Sequence, residues 1–558
     1  MQADLIINNK LINNQRVSKL GTIIAIVFLI HSIFSFKLSF GEFGLIHSLS
    51  LTFFLGIVLL LVSSVILWTN PTTNNGLIFA QLLIFMAGLW LTPFLYEHSP
   101  DRTSYAMIGF VDYIIRNGTL NPEVCFYHNW PAHSILFAIL SKILGLSDPL
   151  IITGITPFFT NLFYFLALCL FRKFLFFEAR QEIWWPFVWI FFIINFIGQD
   201  SFCPQGMAYF LFLMFIALFL LLQTKYNNYS KTVEGNILRI ILFCSLTITH
   251  ILTPIVIVII ILIFTLYHFM LYEKKVPNYL FILSLIVFVS WTTYGAVSYF
   301  EAHLWQFIRE ALNFEEFFQH NVARVGSTGD TSIDQISVFF TIIVLILSFA
   351  GWLITHSGLL KKCFTILSIT PFILAPFFVY GGEILARVFL FLYLPVAFFS
   401  SAFLRNLKIF TWGISVFLVV AIPLHIISHY GNEEYRYVSS AERKAASFFF
   451  EKRAKDFEVV SENDPLFRQR DLEHFAVVLI SASRWENEKI TGPWSKGKDV
   501  PQYVAITRGT FVNYERFKGD TNKIITFENL LRAEPSYICI YSNNDGTMYA
   551  FKDDRENI

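Results

Sequence analysis

Apolar runs of about 17–25 residues recur from Gly21 to Ile427, broken by short polar stretches, and they stop after Ser428. Each is long enough to cross a hydrocarbon core of about 30 Å as an α-helix. The pattern predicts about thirteen spans, near 20–36, 48–69, 76–96, 150–171, 183–198, 207–223, 236–253, 254–272, 277–299, 335–356, 363–380, 384–404 and 407–428. Thr253-Pro254 divides the seventh span from the eighth, because proline interrupts a helix. Past His429 the pattern becomes mixed. Ala441–Ala454 reads as a helix; Phe457–Ser461, Phe475–Ile480 and Tyr503–Thr507 read as strands; Ile525–Arg532 reads as helical. Tyr537–Tyr541 and Met548–Phe551 flank Asn543-Asn-Asp-Gly546, a hairpin signal. The expected architecture is mainly α: a polytopic membrane helix bundle over 1–428, then a soluble α/β domain over 429–558.

Basic residues give the expected sidedness, since cytoplasmic loops are rich in Lys and Arg. Lys10, Arg16 and Lys19 precede the first span, and Arg172, Lys173 and Arg180 follow the fourth. Lys225 and Lys231, Lys274 and Lys275, Lys361 and Lys362, and Arg405 and Lys408 follow later spans in the same alternation. A cytoplasmic N-terminus puts them all on one face. It leaves loop 97–149, turn 199–206, loop 300–334 and the C-terminal domain outside the cell membrane.

Composition adds exclusions. Of 558 residues, 55% are hydrophobic and only 15% charged, against about 25% charged in soluble proteins. A net charge of +1 implies no nucleic-acid partner. Six cysteines without CxxC spacing imply neither a disulfide framework nor a zinc site. The first apolar run follows a polar leader without a small-residue cleavage site, so it reads as a retained anchor.

Polar chemistry concentrates in the outer segments. Loop 97–149 carries two amphipathic patterns: Met107, Phe110, Val111, Ile114 and Ile115 in the first, and Ile135, Leu136, Ile139, Leu140, Ile143 and Leu144 in the second. At about fourteen residues each is too short to span, and both read as helices lying in the interface. Before the first stands Glu97-His98-Ser99-Pro100-Asp101-Arg102. Asp101 there has two roles open to it: deprotonating an acceptor hydroxyl or ligating a cation, or capping the helix that follows. Asp200, in Gly198-Gln199-Asp200-Ser201-Phe202-Cys203-Pro204-Gln205-Gly206, is either a functional acid or part of a turn. Glu383 and Arg387 stand four apart at the start of the twelfth span and share a face. They either close the bundle as an ion pair or leave Arg387 to grip a phosphate with its planar fork. In loop 300–334, Arg309, His320 and Arg324 sit beside an amphipathic stretch containing Trp305, Phe314 and Phe317. They read as a solvated interfacial face or as phosphate and sugar contacts.

The first loop, reading "DYIIRNGTLNP" then "YHNWPAHSILFAILSKILGLS" after an acid, resembles that of GT-C-type glycosyltransferases that use polyprenyl-linked sugars. The resemblance implies a membrane glycosyltransferase taking a sugar from a polyprenyl-phosphate donor to a glycan, lipid or protein acceptor on the external face. Asp101 is then the catalytic acid position, with His98, Arg102, Asp200, Glu383, Arg387, Arg309 and Arg324 on the substrates. A divalent cation (Mg or Mn) between Asp101 and Asp200 is an open alternative. The WWDYG-type signature of oligosaccharyltransferases is absent, which points to single-sugar transfer. A transporter or flippase, or a polymerase of lipid-linked glycans, is the rival reading. Transporters build on internal repeats and midplane charges, whereas charge here gathers at the outer rim.

Overall fold

The computed structural model describes residues 2–68, 74–95, 102–146, 148–178, 183–223, 233–272, 279–312, 331–374, 384–406, 410–452, 457–460, 465–472, 475–478, 502–518 and 520–552. Each expected span overlaps a helix, but the ninth (277–299) is broken into two helices and the fifth (183–198) is helical only over Trp184–Ile193. The helices in chain order are α1 (Gln2–Phe34), α2 (Leu51–Trp68), α3 (Asn75–Trp90), α4 (Arg102–Asn117), α5 (Ala132–Ile143), α6 (Leu150–Glu178) and α7 (Trp184–Ile193). They continue with α8 (Pro204–Gln223), α9 (Val233–Thr247), α10 (Leu252–Tyr272), α11 (Tyr279–Ser290), α12 (Val297–Leu312) and α13 (Thr331–Ile354). α14 (Leu359–Leu374), α15 (Ile384–Asn406) and α16 (Phe410–Tyr430) complete the bundle. Among the described residues, six helices are long and apolar enough to cross a membrane alone. They become seven if α11 and α12, bent by 82° at their junction, count as one span. The protein is a multi-pass helical membrane protein.

Lipid gives helices little hydrophobic reason to associate, so close backbone approach and buried hydrogen bonds hold such bundles. Both are present. A Cβ on Gly351 of α13 would collide with the Phe399 carbonyl of α15, so only glycine lets these helices touch there. Gln81 of α3 accepts from Ser64 of α2 (2.6 Å) and donates to Ser18 (3.0 Å) and Thr22 (2.8 Å) of α1. α7 is buried along its whole length. At 1.5 Å per residue its ten residues rise about 15 Å, half a bilayer core. The chain therefore leaves helical form inside the bundle, and segment 194–203 becomes its polar interior wall.

Two expectations are corrected. The break expected at Thr253-Pro254 lies at 248–251; Pro254 falls in the first turn of α10, where no intrahelical N–H is needed. α4, expected to lie in the interface, is instead sandwiched. Tyr105, Ile108 and Val111 pack with Val438, Ala446, Phe449, Leu466 and Phe467 of the C-terminal region. α5 does keep its lipid-facing side, with Ile135, Leu136, Ile139, Ile143 and Leu144 exposed.

The C-terminal region begins with α17 (Glu433–Arg436) and α18 (Ser440–Lys452). It continues with β1 (Phe457–Val460), β2 (Phe475–Val478), β3 (Tyr503–Thr507), α19 (Arg508–Asn513), α20 (Thr521–Ala533), β4 (Tyr537–Ser542) and β5 (Gly546–Phe551). The strands form one sheet in the order β2-β1-β3-β5-β4. β1 runs parallel to β2 and β3, and β5 antiparallel to β3 and β4. The Asn543 side chain builds the hairpin turn by accepting from the N–H groups of Asp545 (3.0 Å) and Gly546 (2.8 Å).

Candidate active site

Segments remote in sequence meet at the end of the bundle that carries the sheet. The first loop reaches segment 194–203 through His133, whose ring lies 4.8 Å from that of Phe202. It reaches the α9–α10 turn through the Ala132 N–H, which donates to the Ile248 carbonyl at 3.2 Å. Trp291 Nε1, at the end of α11, donates to the Asn129 carbonyl at 3.1 Å. Gly198 turns with φ 73°, a left-handed conformation that glycine takes without strain, and packs near Arg436 and His429. Two of the four outer segments and the start of the C-terminal region thus meet, with the α9–α10 turn and the end of α11 beside them.

Asp200 is 1% exposed. Its Oδ2 accepts from Asn161 Nδ2 at 2.6 Å and, more weakly, from Asn195 Nδ2 at 3.4 Å. Burial pushes its carboxyl up to about 6, against the pull of the Asn161 hydrogen bond and the Arg436 charge. The Trp90 indole is near enough to favour the ionised form, although its N–H makes no well-formed hydrogen bond. Arg387, on the first turn of α15, donates from Nη1 to Gln199 Oε1. His250 lies in the α9–α10 turn, within electrostatic reach of Arg387. Its Nδ1 accepts from the Leu252 N–H at 3.2 Å, so Nε2 carries the hydrogen. Gln205, 2% exposed, has neither amide atom hydrogen-bonded among the described residues. A buried amide left so costs roughly 1–3 kcal/mol, so it is a group awaiting a partner.

Beside Arg387 lies a cavity of about 510 Å³, walled by Phe196, Ile197, α13, Phe372 of α14, and Leu385, Ala386, Val388, Phe389 and Leu392 of α15. Val338, Ile342, Phe372 and Leu385 are more than a third exposed, so the groove opens sideways from the bundle. Arg387 is not among the lining residues: on α15 its side chain leaves from a different face than Leu385, Phe389 and Leu392 and turns toward Gln199.

The other expected site residues fall differently. Arg102, expected on substrate, is only 2% exposed and pairs with Glu442 at 2.6 Å. It also donates to the carbonyls of Tyr435 and Tyr437, both at 3.2 Å. The guanidinium clamps the first loop to the C-terminal region, because a buried cation must be both paired and hydrogen-bonded. Arg309 is exposed on α12. Asp101, His98, Glu383 and Arg324 lie outside the described residues. No group of three His, Cys, Asp or Glu among the described residues could hold a metal. Asp200, one oxygen already shared by two amides, does not by itself fit a divalent ion. Gln205, His250 and Arg436 were missed by sequence reasoning. Only Arg436 had a signal there, in the charged run Glu433-Glu-Tyr-Arg436 just after the last span.

The fold defines a multi-pass membrane protein with a lateral apolar groove and a small α/β unit. No protein-family model matches the chain, and no curated protein matches it in sequence. Among solved structures it is similar to the Archaeoglobus fulgidus oligosaccharyltransferase complexed with Zn and sulfate, at 13% identity and TM-score 0.47, over 82% of this chain and 70% of that one. The same enzyme, as AglB with an inhibitory peptide and a dolichol-phosphate, matches at 12% identity and TM-score 0.47, over 81% and 70%. ArnT from Cupriavidus metallidurans, bound to undecaprenyl phosphate, matches at 10% identity and TM-score 0.48, over 85% and 98%. Both are of the GT-C type that the first loop resembles. At these values no residue of this chain takes its role from them.

Proposed function

We propose that this protein is a glycosyltransferase that moves a sugar from a polyprenyl-phosphate donor to an acceptor at the end of the bundle bearing the sheet. The observation that supports the reading is Arg387, held against Gln199 at the sheet-bearing end of an apolar bundle, with the lateral apolar groove on another face of the same helix. The groove takes the prenyl chain, and the guanidinium fork takes the phosphate. As the glycosidic bond to phosphate breaks, negative charge grows on the phosphate oxygens. Arg387, with the Nε2–H of His250, stabilises that charge in a water-poor setting. Gln205 orients the sugar through its unmatched amide. Asp101 acts as the general base toward the acceptor hydroxyl. With the N-terminus cytoplasmic, transfer takes place on the external face.

The test is sugar transfer by the purified protein in lipid nanodiscs with a panel of labelled polyprenyl-phosphate sugars, Asp101→Asn beside the wild type. Turnover lost in the variant, with donor binding intact, supports both the reaction and its base. Turnover unchanged removes Asp101 from the mechanism. Donor binding without turnover of any panel member turns the reading toward transport of the lipid.

A further inference from the structure

A second cavity, of about 350 Å³, opens between the start of α6, the first half of α18 and segment 469–470. It has room for roughly a dozen waters, enough for a phosphate ester with its glycerol. Three cations line it, Arg443, Lys444 and Arg470, with the hydroxyls of Ser440 and Ser447. Among the described residues Asp148 is the one carboxylate in the wall, and its Oδ1 is occupied in accepting the Leu150 N–H at 2.9 Å. Lys444 and Arg470 enter no ion pair among the described residues. Grouping like charges around a cavity is unfavourable unless an anion shares it.

Its surroundings specify the kind of anion. α6 enters the bilayer from Leu150 at the cavity wall, and Ile151, the next residue, is 57% exposed. α5, with its exposed apolar side, leads into the same corner. The cavity therefore sits where lipid headgroups lie, with an apolar flank for acyl chains. None of its residues belongs to α15 or to segment 194–203, which carry Arg387 and Asp200.

We propose that this cavity is a second anion site, which binds the phosphate ester of an anionic amphiphile between the first loop and the C-terminal region. The phosphate accepts from Lys444, Arg443 and Arg470, and the serine hydroxyls add shorter-range contacts. A phospholipid headgroup and a soluble phosphate ester share this chemistry, so the test separates them.

The full-length protein would be reconstituted in phosphatidylcholine nanodiscs with spin-labelled phosphatidylglycerol as a minor component. Glycerol phosphate would be titrated in a parallel sample. The variant Lys444→Ser/Arg470→Ser changes two exposed side chains and leaves the packed residues alone. An immobilised phosphatidylglycerol fraction that falls at least tenfold in affinity in the variant, with glycerol phosphate silent, assigns the site to a lipid. Protection by glycerol phosphate in the wild type, lost in the variant, assigns it to a soluble ester. Wild-type protein that binds neither, or a variant that binds both as the wild type does, overturns the proposal. Because the readout is binding, its failure leaves the proposed sugar transfer untouched.

Discussion

Arg387 and Asp200 are both charged-type side chains at one end of an apolar bundle, yet their surroundings give them opposite tasks. Arg387 remains half-buried and donates to the Gln199 amide, and on the proposed reading its fork takes the donor phosphate. Arg387→Ala is expected to lower kcat/KM for the lipid donor by about 10²–10³, the usual cost of one transition-state donor. Arg387→Lys should recover only part, because an ammonium keeps charge but loses planar bidentate contact. Comparing the two variants in the transfer assay checks this. Asp200 is sealed among amides, and its pKa is raised on folding to about 6 from 3.8. The native state thus holds that proton more tightly than the unfolded chain does. The resulting stability is fully present below about pH 4 and is lost as pH rises through about 6, roughly 3 kcal/mol in all. Asp200→Asn should keep the Asn161 hydrogen bond and remove this slope. Melting curves of variant and wild type in detergent should therefore diverge between about pH 4 and 6, the variant being the more stable at the upper end.

Elements show where sequence was readable and where it was not. The strands and the Asn543 hairpin follow local alternation and turn chemistry, so they stand in the sequence as they stand in the sheet. The spans follow run length in the same way. α4 was misread because an apolar stripe says that a face is buried, not what buries it; lipid and Phe449 satisfy the same pattern. Arg102 was misread for a related reason. Its partner, Glu442, is 340 residues away, and no spacing rule reaches so far. The site was legible as far as Asp200 and Arg387, which are charged residues in apolar surroundings. It was illegible at Gln205 and His250, whose importance lies in what they do or do not touch. The Arg102–Glu442 pair makes a prediction at this scale. Glu442→Ala leaves a buried guanidinium uncompensated and should cost about 3–5 kcal/mol, seen as a lower thermal midpoint. Adding Arg102→Ala should give part of that back, and a double-mutant cycle measures the coupling. Gly109→Ala on α4, whose Cβ would meet the Arg468 carbonyl, loosens the same junction without touching charge.

At the scale of the molecule, the lateral groove and the sheet-bearing end divide the labour between lipid and water. On the proposed reading the groove binds the prenyl chain by apolar area, at about 25 cal/mol per Å², so its contribution grows with prenyl length. Thr341→Trp, placed on its α13 wall, should fill part of the 510 Å³ and raise KM for long-chain donors. Short-chain analogues should be little affected, since Arg387 still holds the phosphate. Kinetics with a chain-length series would read the difference, and equal effects at all lengths would separate groove from donor. The clamp between α4 and the C-terminal region has one more consequence, in the order of synthesis. The ion pair of Arg102 waits for Glu442, and the Gly509 N–H completes the carboxylate's shell at 2.9 Å. A ribosome that has threaded every apolar helix into the bilayer has therefore not yet made the partners that fix the first loop. Until the residues around Gly509 emerge, the chain is an inserted bundle with its working end unlatched.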